Sequence, residues 1–401
     1  TITNDGATIL SQLEVEHPAA KVLVELANLQ DKEVGDGTTS VVILAAELLK
    51  RADQLVKKKI HPTTIMAGFR MALKEMVKYI KDYLTVKVDS LGRDALISAA
   101  KTSMSSKLVG SESNFFSEMV VSAMEKVKST NNVDNKVKYP IKNVHILKVH
   151  GKSSKESMLV NGYALETTRA AQGMPTHIEN AKIACVAFNL SKFRLHMGIQ
   201  VLVEDPNNLE KIRQKEMDVT KERVKMIIDS GANVVLCTGG IDDFALKYFV
   251  EAGVIAIRRV GKGDMKRIAK ASGATVVTNL SDFETAEESF SPSNLGESKS
   301  VYEKRLGDYD YVFFEELKET SCQSLVIRGP NDYFLEEVER SIHDSLCVVK
   351  RILESNAIVT GGGSVEAALS VYLDHFARTI ESRECLAIAE VAESLLVIPK
   401  T

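Results

Sequence analysis

Residues 35–40 read Gly35-Asp36-Gly37-Thr38-Thr39-Ser40, and a helical pattern starts at Thr38 and runs to about Lys57. Glycines let a backbone approach a phosphate closely, and a helix start offers free N–H groups and the positive end of a dipole. The hydroxyls of Thr38, Thr39 and Ser40 can add donors, while Asp36 can hold a Mg2+ that bridges phosphate oxygens. The plainer reading is a helix cap built from Asp and Thr, which needs no ligand. So short a stretch on its own favours the cap, and the rest of the chain has to decide.

Upstream, Pro18 suits a first helical turn and is followed by Val22, Leu23, Leu26 and Leu29 at helical spacing. Downstream, Pro62 opens a further helix to about Leu84, and a less regular helical region runs from Arg93 to Lys128. A polar linker, Ser129–Tyr139, closes this part. The centre then changes character. Strand-like runs at 182–190, 199–204, 233–237, 254–260 and 275–279 alternate with helices near 208–230, 242–251 and 263–271. Such alternation argues for a separate α/β domain, with Gly231, Gly253 and Gly273 each ending a helix. The stretch 291–307 reads as a polar loop; strands follow at 311–316 and 324–328, then one long helix from about Asp332 to Glu354. Gly361-Gly362-Gly363-Ser364 opens a last pair of helices, with Glu366 in the first turn. Helical flanks around an α/β centre predict an insertion of one domain into another.

Composition narrows the function. Among 401 residues, 51 Lys and Arg face 54 Asp and Glu, a net charge of −3 that speaks against a binder of phosphate backbones. A hydrophobic content of 44% supports two or three cored domains, and no apolar run approaches a membrane span. The five cysteines (Cys185, Cys237, Cys322, Cys347 and Cys385) form no CxxC clip, and the eight histidines no HExxH pair. Scattered thiols fit a reducing compartment, most simply the cytosol.

Neither glycine-rich helix start fits GxxxxGK[ST] or GxGxxG, so ordinary P-loop and dinucleotide readings lose ground. On the long helix, Val338, Ile342, Leu346, Val349 and Leu353 share one face, and Asp344 falls nearly opposite it. It is either a solvated carboxylate paired with Arg340 one turn earlier or a carboxylate that orients a water; spacing does not choose. Asp5 sits in Asn4-Asp5-Gly6, a hairpin turn signal after the strand-like Ile2 and Thr3. Lys107 reads as an exposed loop lysine. A rival function is a small-molecule α/β enzyme using the central sheet, but Cys237-Thr238-Gly239-Gly240, its only glycine turn, lacks the cofactor spacing.

Six segments in order carry a resemblance: Thr3–Thr8 (TNDGAT), Glu16–Lys21 (EHPAAK), Gly35–Ser40 (GDGTTS), Lys59–Ile65 (KIHPTTI), Gly361–Gly363 and Leu395–Thr401 (LLVIPKT). Together they resemble the group II chaperonins, on the eukaryotic cytosolic side of that family. The resemblance implies an α/β multidomain fold with a mainly helical equatorial domain (1–91 and 361–401). It also implies a small α/β intermediate domain (92–156 and 324–360) and an inserted α/β apical domain (157–323), with a lid-like protrusion near 199–220. It implies an ATPase using ATP/ADP and Mg2+ to drive protein folding in the cytosol. The partners would be paralogous subunits in a stacked double ring and unfolded client polypeptides, with no nucleic acid and no membrane.

By motif, Asp36 resembles the magnesium ligand, and Gly37, Thr38, Thr39 and Ser40 the phosphate contacts. Gly362 resembles a nucleotide contact, and Asp5 and Asp344 the carboxylates that position and activate the attacking water. Ser106 and Lys107 resemble a nucleotide-sensing loop, although Ser105–Gly110 (SSKLVG) departs from the glycine-rich version. The family's LGPxGxxK phosphate loop is expected before Thr1 and a further equatorial segment after Thr401. The 401 residues are therefore expected to be a fragment that is inactive alone.

Overall fold

The computed structural model describes residue 3 and residues 5–88, 92–130, 137–191, 206–280, 289–318 and 322–401. The chain divides into two compact units: one made of residues up to Met124, a short piece ending at Ile141, and Glu336–Thr401; the other of Glu125–Thr130 and Lys142–Leu335. The second interrupts the first in sequence, as an insertion does.

The first unit opens with α1 (Gly6–Gln12), α2 (Pro18–Val34), α3 (Thr38–Lys57) and α4 (Pro62–Tyr79). Both prolines stand at first helical positions, where their missing N–H costs nothing, and His17 and His61 cap the same helices through Nδ1. The two-residue strand β1 (Val86–Lys87), then α5 (Gly92–Ser105) and α6 (Ser113–Lys126), follow. No hairpin forms at Asp5: the residue caps α1 instead, while Ile2 and Asn4 lie outside the described residues.

After the two-residue strands β2 (Ser129–Thr130) and β3 (Val137–Lys138), the described residues of the second unit form two sheets. In the smaller, β4 (Val144–His150), β13 (Gln323–Gly329) and β5 (Met158–Val160) lie in the order β4-β13-β5. The larger joins β6 (Gly162–Leu165), β7 (His177–Val186), β8 (Val234–Cys237), β9 (Ile255–Ile257), β10 (Val276–Val277), β11 (Gly296–Leu306) and β12 (Tyr309–Leu317). Its order is β6-β12-β11-β7-β8-β9, with β10 also pairing β7. β7, β8 and β9 run parallel; β6, β12, β11 and β7 are antiparallel neighbours.

Period-2 alternation divides the larger sheet between two cores. Ile183, Cys185, Val234, Leu236, Ile255 and Ile257 face one side with α9 (Lys262–Ser272). Ala184, Val186, Val235, Cys237 and Ala256 face the other with α7 (Pro206–Asp229) and α8 (Asp243–Glu251). Strands covered on both faces read as unbroken apolar runs, which is why Val234–Cys237 was legible. The stretch 291–307 is not a loop: Gly296–Leu306 forms the eleven-residue β11. Its serines hide the alternation, since Ser298 occupies a buried position and its Oγ donates to the Glu315 carbonyl at 2.8 Å. β7 starts five residues before the expected run; the expected strand 199–204 lies outside the described residues.

The chain then returns through α10 (Asp332–Ser355), β14 (Ala357–Ile358), α11 (Ser364–Thr379), α12 (Glu384–Ser394) and α13 (Val397–Lys400). β14 pairs antiparallel with β1, Val86 opposite Ile358. Leu369, Leu373, Ile388, Val391 and Leu395 from α11, α12 and the turn after it pack with Ala72 of α4. Arg51 of α3 binds Glu390 and Glu393 of α12 at 2.9 and 2.8 Å. These contacts hold the beginning and end of the sequence together in the first unit.

Candidate functional site

The candidate residues all lie in the first unit, most of them at or beside helix ends and Asp344 in the middle of α10. Asp5 has extended backbone, and its carboxylate accepts from the Ala7 N–H at 3.2 Å, the Thr8 N–H at 2.9 Å and the Thr8 hydroxyl at 2.6 Å. Burial works against its charge. Hydrogen bonds from Thr8 and Ala7, with the positive charge of Lys107, nevertheless hold the carboxyl below its ordinary value. Thr38 is buried and its Oγ1 donates to Asp5 Oδ1 at 3.4 Å. Gly6 comes so close that a Cβ there would lie 2.3 Å from Thr39 Oγ1, so the starts of α1 and α3 meet.

The helix-cap reading of Gly35–Ser40 fails. The N-cap of α3 is Gly37, in the left-handed region at φ 72°, and no side chain caps the helix. Asp36 Oδ1 accepts from the Gly37 N–H at 2.7 Å, and its backbone carbonyl accepts from Gln30 Nε2 at 3.0 Å, leaving the carboxylate exposed. The N–H groups of the first turn of α3 are thus left for another partner. α11 repeats the arrangement: Gly363 is its N-cap at φ 76°, again without a side-chain cap. Gly362 beside it has φ 71° and faces open space, and the turn closes on itself through Ser364 Oγ and the Gly361 carbonyl at 2.9 Å.

Gly35 fastens the loop to α10. At φ 75°, it ends α2, and a Cβ there would lie 2.8 Å from the Asp344 carbonyl oxygen and 2.7 Å from Cys347 Cβ. Arg351 Nε donates to the Glu33 carbonyl at 2.6 Å across the same seam. Asp344 is therefore not a solvated carboxylate, and Arg340 pairs with Glu336 and Glu337 instead. It does face away from the apolar stripe, but that second face of α10 is covered by the Gly35 loop and by Lys107.

Lys107 is not an exposed loop lysine either: its ammonium donates to Asp344 Oδ2, with only 12% and 6% of the two side chains exposed. His343 Nδ1 lies 3.8 Å from Asp344 Oδ1, and that carboxylate is the leading cause pushing the imidazole up to about 10.

The structure therefore brings together Asp5, Thr38, Thr39, Lys107 and Asp344, with Asp36, Gly37 and Ser40 on the same loop and helix start. Ser106 is exposed beside Lys107. Gly362 is tied to none of them by a hydrogen bond; its neighbour Gly363 packs on Pro399. Among the described residues no three His, Cys, Asp or Glu stand together as a metal cage. A single exposed carboxylate at a phosphate-ready helix start does fit Mg2+, which keeps several waters and shares itself with phosphates. The sequence reading missed the bridging roles of Gln30 and Gly35. The signal for Gly35 was its place at the end of the helical pattern, where a left-handed glycine closes a helix; nothing in the sequence marked Gln30.

A helical unit carrying these two open helix starts, interrupted by an α/β unit, defines a chaperonin subunit: the chain belongs to the TCP-1/cpn60 chaperonin family, which it matches over residues 1–401. It is 60% identical to the T-complex protein 1 subunit alpha of Arabidopsis thaliana, over all of this chain and 73% of that one. The T-complex protein 1 subunit alpha of Tetrahymena pyriformis is 60% identical over the same shares. Thermosome subunit beta of Methanothermobacter thermautotrophicus is 38% identical over all of this chain and 71% of its own. The open-state monomer of a group II chaperonin from Methanococcoides burtonii superposes with a TM-score of 0.65 at 29% identity, covering 91% of this chain and 83% of that one. The protein is an ATP-hydrolysing chaperonin subunit that assists protein folding.

The small-molecule enzyme reading is not supported. The Gly239–Gly240 turn is filled by Asn189, whose Oδ1 accepts from the Gly240 N–H at 3.1 Å. No helix among the described residues is long and apolar enough to cross a membrane.

Proposed function

We propose that the first unit binds the phosphates of ATP or ADP at the start of α3 and hydrolyses ATP between Asp5 and Asp344. The observation that carries this is the uncapped start of α3, where Thr38 bonds Asp5, fastened through Gly35 to the helix that carries the covered Asp344–Lys107 pair. Gly37, Thr38, Thr39 and Ser40 supply N–H and hydroxyl donors for the phosphate oxygens, aided by the helix dipole. Asp36 would hold Mg2+, which when bound neutralises charge on the phosphates. Gly362, at the second open helix start, contacts another part of the nucleotide.

Asp344 orients a water and accepts its proton as the oxygen attacks the γ-phosphorus; the bond to the β,γ-bridging oxygen breaks and ADP leaves with that electron pair. Asp5, held ionised by Thr8 and Ala7, shares the positioning of that water. Ser106 and Lys107 sense the nucleotide, since a γ-phosphate can compete with Asp344 for the Lys107 ammonium.

The wider reading follows from the relatives. The five segments 1–91, 92–156, 157–323, 324–360 and 361–401 act as equatorial, intermediate, apical, intermediate and equatorial pieces. The apical piece grips unfolded polypeptides, with a lid around 199–220; within it residues 192–205 lie outside the described part and 206–220 begin α7. Paralogous subunits complete a stacked double ring in the cytosol.

The test is nucleotide titration of the assembled chaperonin carrying Asp36→Ala, with and without Mg2+. The variant should lose most of the metal's contribution to nucleotide affinity. An unchanged metal dependence would remove Asp36 from the site.

A further inference from the structure

Gln30 of α2 holds the loop before α3 at two points. α2 ends on Gly35 in the left-handed region, so the chain turns back beside the last turn of the helix, and the Gly35 N–H donates to the Gln30 carbonyl at 3.3 Å. That return brings Asp36 within reach of the Gln30 side chain, whose Nε2 donates to the Asp36 carbonyl at 3.0 Å. Against a carbonyl oxygen only the NH2 end of a carboxamide can bond, which fixes its orientation. A trans peptide is planar, and its C=O and N–H point opposite ways. Tying the Asp36 carbonyl to α2 therefore aims the Gly37 N–H away from α2, and there it meets Asp36 Oδ1 at 2.7 Å. On the far side, the Gly37 carbonyl accepts from the Val41 N–H at 3.0 Å as the first bond of α3. The Asp36–Gly37 peptide is thus the one unit of the turn that neither helix fixes by its own backbone.

We propose that Gln30 is a positioning residue for the phosphate end of the nucleotide, keeping the Asp36–Gly37 peptide with its N–H towards the ligand and its carbonyl away. The inference rests on the start of α3 being the phosphate site. Turned over by half a rotation, the same peptide would set a carbonyl oxygen beside the Asp36 carboxylate and the phosphates, where a donor is needed. Residue 37 does not prevent this. Gly37 stands at φ 72°, and the rotation carries φ to roughly −110°, which glycine adopts as readily. Packing does not prevent it either: among the described residues beyond its chain neighbours, only Gln30 Nε2, at 3.8 Å, would touch a Cβ built on Gly37. The bond to Asp36 Oδ1 favours the observed orientation, but it ties up the N–H and the carboxylate meant for phosphate and Mg2+, so it is given up as the site fills. The Gln30 bond, for which nucleotide does not compete, is what holds the peptide.

The test uses the assembled chaperonin. Gln30→Met keeps the length and helix propensity of the side chain and removes the donor. It should weaken ATP binding by roughly threefold to tenfold, the usual weight of one hydrogen bond, both with Mg2+ and without it. Single-turnover hydrolysis at saturating ATP should stay within about twofold of the parent, because Gln30 acts on binding and not on the chemical step. The melting temperature without nucleotide should be unchanged, whereas its rise on adding ATP should be smaller. Gln30→Glu keeps the shape but sets an acceptor against the Asp36 carbonyl, and should weaken ATP binding at least as much.

Asp36→Ala and Thr39→Val are titrated beside them. If neither weakens ATP binding, the start of α3 is not the phosphate site, and the inference falls with that reading. Weakened binding in those two variants, with parental affinity in a folded Gln30→Met or Gln30→Glu, would overturn the role of Gln30 alone. A lowered melting temperature in nucleotide-free Gln30→Met, with unchanged ATP affinity per folded molecule, would also overturn it, marking the bond as a helix-end contact.

Discussion

Lys107 and Asp344, far apart in sequence, form an ion pair in which both side chains are almost wholly covered. Two charges so placed have given up most of their water, and each depends on the other for compensation. The pair joins the segment after α5 to α10, and the same carboxylate is the proposed proton acceptor. One carboxylate therefore carries both the ion pair and the proposed catalytic role, which would let nucleotide couple chemistry to the position of the Lys107 segment.

Removing one partner of that pair is expected to be costly. Lys107→Ala leaves Asp344 buried without its cation and should destabilise the first unit by about 3 kcal/mol. The double variant with Asp344→Ala should cost clearly less than the sum of the two single changes. Denaturant unfolding of all four proteins gives the coupling; strict additivity would mean that the pair does not form.

Gly35→Ala should damage both stability and hydrolysis. The residue has φ 75°, which an alanine adopts only with strain, and its Cβ would press on the Asp344 carbonyl oxygen. Relief requires α10 to move away, carrying Asp344 with it. A loss of more than about 2 kcal/mol is expected, with a fall in turnover beyond what the unfolded fraction explains. Normal turnover per folded molecule would show that the seam between α2 and α10 does not position the site.

Asp5 gives a pH dependence. Its carboxyl is held below the ordinary aspartate value, so its contribution to stability is complete above about pH 4 and is lost as pH falls through the lower folded value. Asp5→Asn should therefore be less stable than the parent at neutral pH, by roughly 1 kcal/mol for the weakened cap. The difference should shrink as the solution is acidified. Melting curves between about pH 3 and 7 would show it, and a gap independent of pH would contradict the account.

What could be read in advance follows the range of the forces. The start of α3 and the buried strand Val234–Cys237 were visible because glycine punctuation and apolar periodicity act within a few residues. Asp5 was misread locally: Asn-Asp-Gly favours a turn and a helix cap for the same reason, the short carboxylate reaching nearby N–H groups. β11 escaped because Ser298 fills a core position and satisfies its hydroxyl on the neighbouring strand. Lys107 was invisible in principle, because the residue that buries it lies on α10. Resemblance named Lys107 as a site residue, yet only the structure supplied its partner.

Asp344 is proposed to act in the chemical step and not in nucleotide binding. This is tested most directly by equilibrium ATP binding and single-turnover hydrolysis in the assembled chaperonin carrying Asp344→Ala, with a melting curve to establish folding. ATP affinity should stay within a few-fold of the parent, since binding rests on the start of α3 and the metal. Hydrolysis should fall by about a hundredfold to ten-thousandfold, the usual contribution of a positioned general base. A folded variant that hydrolyses ATP at near-normal rate, or that fails to bind it, would contradict the account.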